Sequence, residues 1–535
     1  MSTWQHTGCV FLLLLVTCGQ PETPQRLATP GEQPRDGGTL VRRLTEDLQS
    51  STPVCAPGSD DHYVHQYVFT PLLYLDRELR VIPGIATHWE QRDDGRTFRF
   101  SLQPAATFSD KTPVRARDVL FSLQQARTAR HLAGSFEFVD EQRTRVIDDH
   151  TVDIAFTHSL ATQLSRFADL YIIPAHIYER APVCETDQMI GSGPYRLAVR
   201  HRGQSITLER RNDYWGQRPH IHRIQFRVIT EHAQAWNALK TGQLDEARVT
   251  AAVWEHERTA YGTYFTFRPY YQPSYNFIAW NGRHEFLRDA RLRRALAQAI
   301  DVDRIIDAVY LGTARRLTGP FVPDEEAYNA MVPPIRYDPD GARQLLATAG
   351  WHDSNGDGIL EKQGHQLVFS LLIASEGDRT LAQLLQSSWE SVGAHVEIEQ
   401  TDGTTASARL LARNYDAAYW AWSLDADPDL YSIFHSSQVP PAGYNFVSYR
   451  NSRVDRLIED ARTERDAAKR RALHRELHMI LAAEQPYTWL VQPATKWVAH
   501  RRIQGVELSP RIGPFGWYPG ELAWWLAPTS TERVP

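Results

Sequence analysis

The chain has 535 residues, too many for one ordinary hydrophobic core, so at least two domains or lobes are required. Apolar and charged fractions of 42% and 23% are those of a soluble globular protein and exclude a disordered chain. The net charge of −6 gives no reason to expect nucleic acid or an anionic membrane surface as partner.

At the N-terminus, Val10–Val16 (VFLLLLV) is too short to span a bilayer but suits the apolar region of a signal peptide. Leu15 stands three residues before Cys18, and a polar stretch follows, which resembles a bacterial lipoprotein signal with Cys18 acylated after cleavage. Thr17 departs from the small residue usual there, and a plain secretory signal cut nearby is the alternative. Residues 1–18 are therefore read as an export signal and 19–36, rich in Pro, Gln and Thr, as a linker. Export leaves Cys55 and Cys184 as a candidate disulfide pair, although sequence gives no distance between them.

From Gly37 onward strand-like and helix-like segments alternate, which predicts a mixed α/β fold. Phe98–Leu102 (FRFSL) alternates apolar and polar like a half-buried strand, and 206–210 and 224–229 read similarly. Val114, Val119, Leu120 and Leu123 form a helical stripe. Asp289 is placed to cap a helix burying Leu292, Leu296, Ala299 and Ile300. Asp466 caps a second, with Leu473, Leu477, Ile480 and Leu481 on one face and Pro486 beyond its end.

The chain contains no zinc-protease, nucleophile-elbow, phosphate-loop or dinucleotide fingerprint. Gly191–Tyr195 (GSGPY) imitates a phosphate cradle, but Pro194 lacks the backbone N–H such a cradle needs, so a turn into a strand is expected. His62 and His65 lie one helical turn apart and His220 and His222 two residues apart, yet both read better as packing. Asp353, Asn355 and Asp357 begin like a calcium loop, but the twelfth position is Gly364 rather than a bidentate Glu, so a surface turn is expected. No metal or cofactor is predicted.

The stretch Tyr419–Ser437 (YWAWSLDADPDLYSIFHSS) places three aspartates at alternate positions among aromatic residues. A catalytic carboxylate pair and a hard-metal site both need arrangements this segment does not display. An aspartate walled by Trp420, Trp422 and Tyr431 would be desolvated and attractive to a ligand cation. Asp429 reads as a turn-former.

Taken in order, the motifs of residues 37–40, 81–90, 94–100, 108–122, 191–195, 212–216, 289–301, 444–449 and 484–487 carry a family resemblance. The chain resembles the periplasmic peptide-binding proteins of ABC importers, the bacterial extracellular solute-binding family 5. Lys111 and Arg117 depart from that pattern, away from the expected cleft. The resemblance implies two α/β lobes joined by two hinge strands with ligand enclosed between them. The first lobe is expected to hold 37–278 and 497–535, and the second 279–496, with crossings at Tyr275–Asn281 and near 490–496.

The resemblance further implies a binding protein rather than an enzyme. It would be exported, act as a monomer, be held at the membrane through a lipid anchor, and deliver oligopeptides to an ABC permease. An aspartate after the Trp-rich strand would receive the peptide's α-ammonium group. Counting from Trp422 selects Asp425 and anchoring on Asp-Pro selects Asp427, which the oligopeptide-like "DPDLYSIFHSS" favours. Tyr275, Asn276, Trp280, Asn281, Tyr444 and Asn445 would line the cleft. A receptor for an oligosaccharide, metal chelate or haem, and a secreted hydrolase using Asp425 and Asp427, are the alternative functions.

Overall fold

The computed structural model describes residues 33–528 apart from 56–57, 130, 181–182 and 425–427. The signal and anchor expectations, Cys18 included, and the candidate aspartates Asp425 and Asp427 therefore lie outside the described residues.

One lobe is built on three small sheets. A four-stranded sheet runs in the order Thr39–Leu44, Arg223–Val228, Ser205–Arg210, Tyr195–His201; a second joins Ala86–Arg92, Thr97–Leu102, Thr151–Ala155 and Arg145–Asp148. The third pairs Glu246–Arg248, Thr495–His500 and Phe265–Tyr270. Alternation along Thr97–Leu102 sends Phe98, Phe100 and Leu102 into the core, as its period-2 pattern requires. Cys55 and Cys184 are bonded within this lobe, with S–S 2.00 Å and Cα atoms 5.4 Å apart. Gly191 and Gly193 lie against the end of helix Ser59–Val68, where Gly193 N donates to Val68 O at 2.7 Å. The turn therefore needs glycine for close backbone approach and leads, as expected, into a strand.

The other lobe is organised by a six-stranded mixed sheet. Its order is Ala314–Arg316, Tyr487–Pro493, Ser274–Trp280, Ala417–Ser423, Val368–Ile373, His395–Gln400. Both faces are covered. Ile278 and Trp280 pack with Leu292, Leu296 and Trp389 on one side, and Tyr275 and Phe277 pack with Phe434, Leu477 and Leu481 on the other. Helix Ala290–Gln298 starts at Asp289, whose carboxylate accepts from Arg291 N, and helix Ala467–Glu484 starts at Asp466, which accepts from Ala468 N and Lys469 N. Each such cap satisfies backbone donors that a helix start leaves unpaired, worth about 1 kcal/mol. The second helix ends at Gln485 in the left-handed conformation, one residue before Pro486.

The chain passes between lobes twice, and the lobe boundaries differ from those expected. Ser274–Trp280 is paired along its length with Ala417–Ser423, so it belongs wholly to the six-stranded sheet rather than forming a crossing. The first crossing is residues 271–273, and the second is Ala494, between Tyr487–Pro493 and Thr495–His500. Gln272 links the two: its carbonyl accepts from Gln492 Nε2 at 2.7 Å, and its Oε1 accepts from Thr495 Oγ1 at 3.2 Å.

Two measurements test this packing. A Cβ at Gly191 would stand 2.1 Å from Val68 O, a backbone atom, so Gly191→Ala should cost about 3 kcal/mol in chemical denaturation. His478, fully buried, accepts from Asn329 N at Nδ1 (3.2 Å), pairs with Thr318 Oγ1 through Nε2 (2.9 Å), and is pushed down by burial to about 4. The unfolded chain binds a proton there near pH 6.5 but the folded one does not until about pH 4, so this contribution to stability is lost as pH falls through that window. The melting temperature should drop from pH 6.5 to 4, less steeply in His478→Gln.

Candidate functional site

Between the lobes lies a cleft of about 710 Å³. One wall is made by the first lobe, where helix Ser59–Val68 presents His62, Tyr63 and Gln66, and the strand end at Arg248 and the loop at Phe515 complete it. The floor is the first crossing, Gln272 and Pro273. The second lobe contributes Ser274, Ser423 and Leu424. A space of about 230 Å³ shares Asp169, Pro273 and Leu424 with it, and another of about 120 Å³ shares Asp169, Tyr171 and Gly516.

Strand geometry decides which expected residues reach this cleft. Ser274–Trp280 is an inner strand covered on both faces, so only its first residue, Ser274, lines the opening. Tyr275 is buried in the core, and Trp280, also buried, donates from Nε1 to Thr488 Oγ1 at 3.0 Å. Asn281 donates to Tyr415 O at 2.6 Å, and buried Asn445 donates to His435 O and Tyr449 O. Asn276 bonds to the hydroxyls of Tyr310 and Tyr419. These five hold the second lobe together, which corrects their expected place in the cleft. Trp420 and Trp422 are half-buried against the second core, and Trp422 Nε1 donates to Tyr487 OH at 3.2 Å. Tyr444 is exposed and meets Trp422 edge-on, with ring centroids 5.8 Å apart. The segment 425–427 follows directly on cleft-lining Leu424.

The residues that do line the first-lobe wall carried weak sequence signals. The stretch around His62 and His65 stood out only as a metal spacing. In the fold both histidines border the cleft, His62 exposed and His65 buried at its back, where it bonds to Ser50 O at 3.1 Å and is held by burial at about 3, hence neutral. Among the described residues no three metal-ligating side chains converge. Arg248 sits in a short strand with no motif around it. Its guanidinium lies over the ring of Tyr63 at 5.1 Å and forms no ion pair among the described residues.

Behind this wall Arg42, 3% exposed, is held by Glu246 Oε1 (2.9 Å), Tyr67 OH (2.6 Å) and Glu521 Oε1 (3.1 Å), with Phe515 4.9 Å from its guanidinium carbon. A guanidinium tolerates burial only when its donors are met, and here they tie the first strand, helix Ser59–Val68, the three-stranded sheet and the C-terminal segment together.

At the rim the lobes touch through charge. Asp429 turns the chain into helix Tyr431–Phe434 by accepting from Tyr431 N at 3.0 Å, the expected role. Its other oxygen, however, accepts from Arg166 Nη2 of the first lobe (3.0 Å) and from Arg462 Nε of the second (3.1 Å). All three side chains are at least 85% buried, so the pair is little screened. Arg462 also stacks over Tyr431 at 4.0 Å, and its carbonyl accepts from Ala161 N at 2.8 Å. Arg166→Ala removes the inter-lobe half and leaves Asp429 paired with Arg462. It should weaken ligand retention about tenfold and enlarge the radius of gyration of the ligand-bound protein in small-angle scattering.

Comparison with known proteins agrees with this architecture. The model for bacterial extracellular solute-binding proteins, family 5 middle, matches residues 80–441. The oligopeptide-binding protein AppA of Bacillus subtilis is 26% identical over 97% of both chains, and a dipeptide-binding protein of Pseudomonas aeruginosa is 24% identical over 85% of this chain and 89% of its own. The solved structure of B. subtilis AppA in complex with a nonapeptide superposes with a TM-score of 0.78 at 25% identity, covering 93% of this chain and all of that one. NikA from Brucella suis in complex with Fe(III)-EDTA reaches 0.80 at 21% identity over 92% of this chain and all of that one, a likeness of fold. Two lobes, a double crossing, a cleft between them and a family match across most of the chain lead to one assignment: the protein belongs to the bacterial extracellular solute-binding proteins of family 5.

Proposed function

We propose that this protein is the peptide-capturing component of an ABC importer, holding an oligopeptide between its lobes and presenting the closed form to a membrane permease. The observation that supports this most is the cleft itself. It is within the range of small-ligand sites, lies between two bodies joined by short crossings, and offers backbone and small polar side chains along one side. An extended peptide held largely through its main chain suits such a surface. The peptide-binding names among the relatives point the same way.

Two charged groups would orient the ligand. Asp427, or alternatively Asp425, receives the α-ammonium group, and Arg248, which lines the cleft without a carboxylate partner among the described residues, receives a carboxylate. Closure then follows from differential binding. A ligand that touches both walls stabilises the state in which Asp429 meets Arg166. Delivery is from outside the cytoplasmic membrane, with Cys18 as the acylated anchor and the protein acting as a monomer. No helix among the described residues is long and apolar enough to cross a membrane.

The test compares free and N-acetylated forms of the same peptide by calorimetry. Asp427→Ala should weaken the free-amine peptide by about 2–3 kcal/mol and the acetylated one by much less. If Asp425→Ala produces that difference instead, the receiving carboxylate is Asp425. Equal losses for both peptides in both variants would sink the ammonium assignment, and failure of the wild-type protein to bind any peptide would sink the function.

A further inference from the structure

The space of about 120 Å³ that opens from the cleft has a composition unlike the rest of the wall. Tyr74, Tyr171, Trp517 and Tyr518 contribute rings to it, with Tyr74 and Tyr518 stacked at 4.4 Å. Its lining includes two carboxylates, Glu521 and Asp169, and no lysine or arginine.

Glu521 is only 6% exposed. Its Oε1 accepts from Gln66 Nε2 at 2.6 Å and from Arg42 Nη1 at 3.1 Å, while its Oε2 has no hydrogen-bond partner among the described residues. The hydroxyl oxygen of Tyr74, on the same pocket, also has no hydrogen-bond partner among them. Arg42 does not neutralise Glu521 alone, because its Nε is committed to Glu246 at 2.9 Å. One guanidinium thus serves two buried carboxyl groups, and burial pushes the Glu521 carboxyl up from its ordinary range, so a cation in this ring-walled cavity would favour its charged form. An apolar occupant would leave both oxygens desolvated and unpaired, and an anion would be repelled. A cation on an aliphatic stem meets every demand: the rings flank the stem and attract the charge, and the free oxygens accept its N–H groups.

We propose that this pocket is a side-chain subsite for a lysine or arginine of the bound peptide, with Glu521 and Tyr74 as the acceptors. The assignment rests on the peptide-binding function and adds a sequence preference to it. Main-chain recognition in the cleft stays indifferent to side chains, whereas one ligand position becomes selective for positive charge.

The experiment is a position scan by calorimetry, using alanine pentapeptides that carry a single Lys, Arg, norleucine or Glu. At one position Lys or Arg should bind about tenfold more tightly than norleucine, which is close to it in shape, and Glu should bind most weakly. In Glu521→Gln the Lys-to-norleucine ratio should fall below about threefold. Ala168→Phe narrows the pocket while leaving every hydrogen-bond partner of Arg42 in place, and should weaken the Lys and norleucine peptides alike relative to pentaalanine. Binding of pentaalanine with no charge preference at any position overturns the subsite and leaves the peptide function standing. A preference that survives both substitutions overturns it too. Failure of every peptide to bind overturns the function and the subsite together.

Discussion

The molecule depends on two short passages of chain lying side by side. Residues 271–273 and Ala494 are the passages between the sheets of the two lobes, and Gln272 bonds to the strand ends on both sides of the second one. Because the adjoining strands are locked into their own sheets, rotation of the lobes is confined to these few residues. The first of these passages forms the floor of the cleft through Gln272 and Pro273. A ligand lying there rests on the hinge and reaches both walls, which couples occupancy to lobe closure by geometry alone.

The two lobes meet this constraint with different chemistry. The first is braced by Arg42, a buried cation whose removal from water is compensated by two carboxylates, a tyrosine hydroxyl and aromatic faces. That brace fixes helix Ser59–Val68, the main side-chain source for the cleft wall, against the C-terminal segment that closes the side pocket. The second is braced by a sheet sandwiched between apolar layers, with Trp280 and Trp389 5.5 Å apart on one face and Phe277 stacked on Tyr487 at 3.9 Å on the other. Its rigidity carries Asp429 to the rim, where one carboxylate turns its own chain and contacts the opposite lobe.

Charge is therefore distributed by task. Buried pairs behind the wall hold structure, Arg248 in the cleft stays without a carboxylate partner among the described residues, and Asp429 joins the lobes at the edge. An arginine-rich chain suits this arrangement, since a planar guanidinium meets two or three acceptors at once, as Arg42 does.

Much of this was legible in the residues. Period-2 alternation located Thr97–Leu102, and Asp289 and Asp466 marked two helix starts, because strand alternation and capping are local consequences of backbone geometry. The ordered motifs identified the family and its two lobes. Several site residues were beyond reach. Tyr275, Trp280, Asn281 and Asn445 have cleft-like chemistry, but only the covering of both faces of Ser274–Trp280 and its neighbours sends them inward. The partners of Asp429 lie 263 and 33 residues away in sequence, and Arg42 meets carboxylates 204 and 479 residues away. The sequence by itself determined which segments become strands and helices and which family the chain joins, since both are carried by short-range pattern. The tertiary structure alone decided which side chains face ligand, hinge or core, because that depends on what each face packs against.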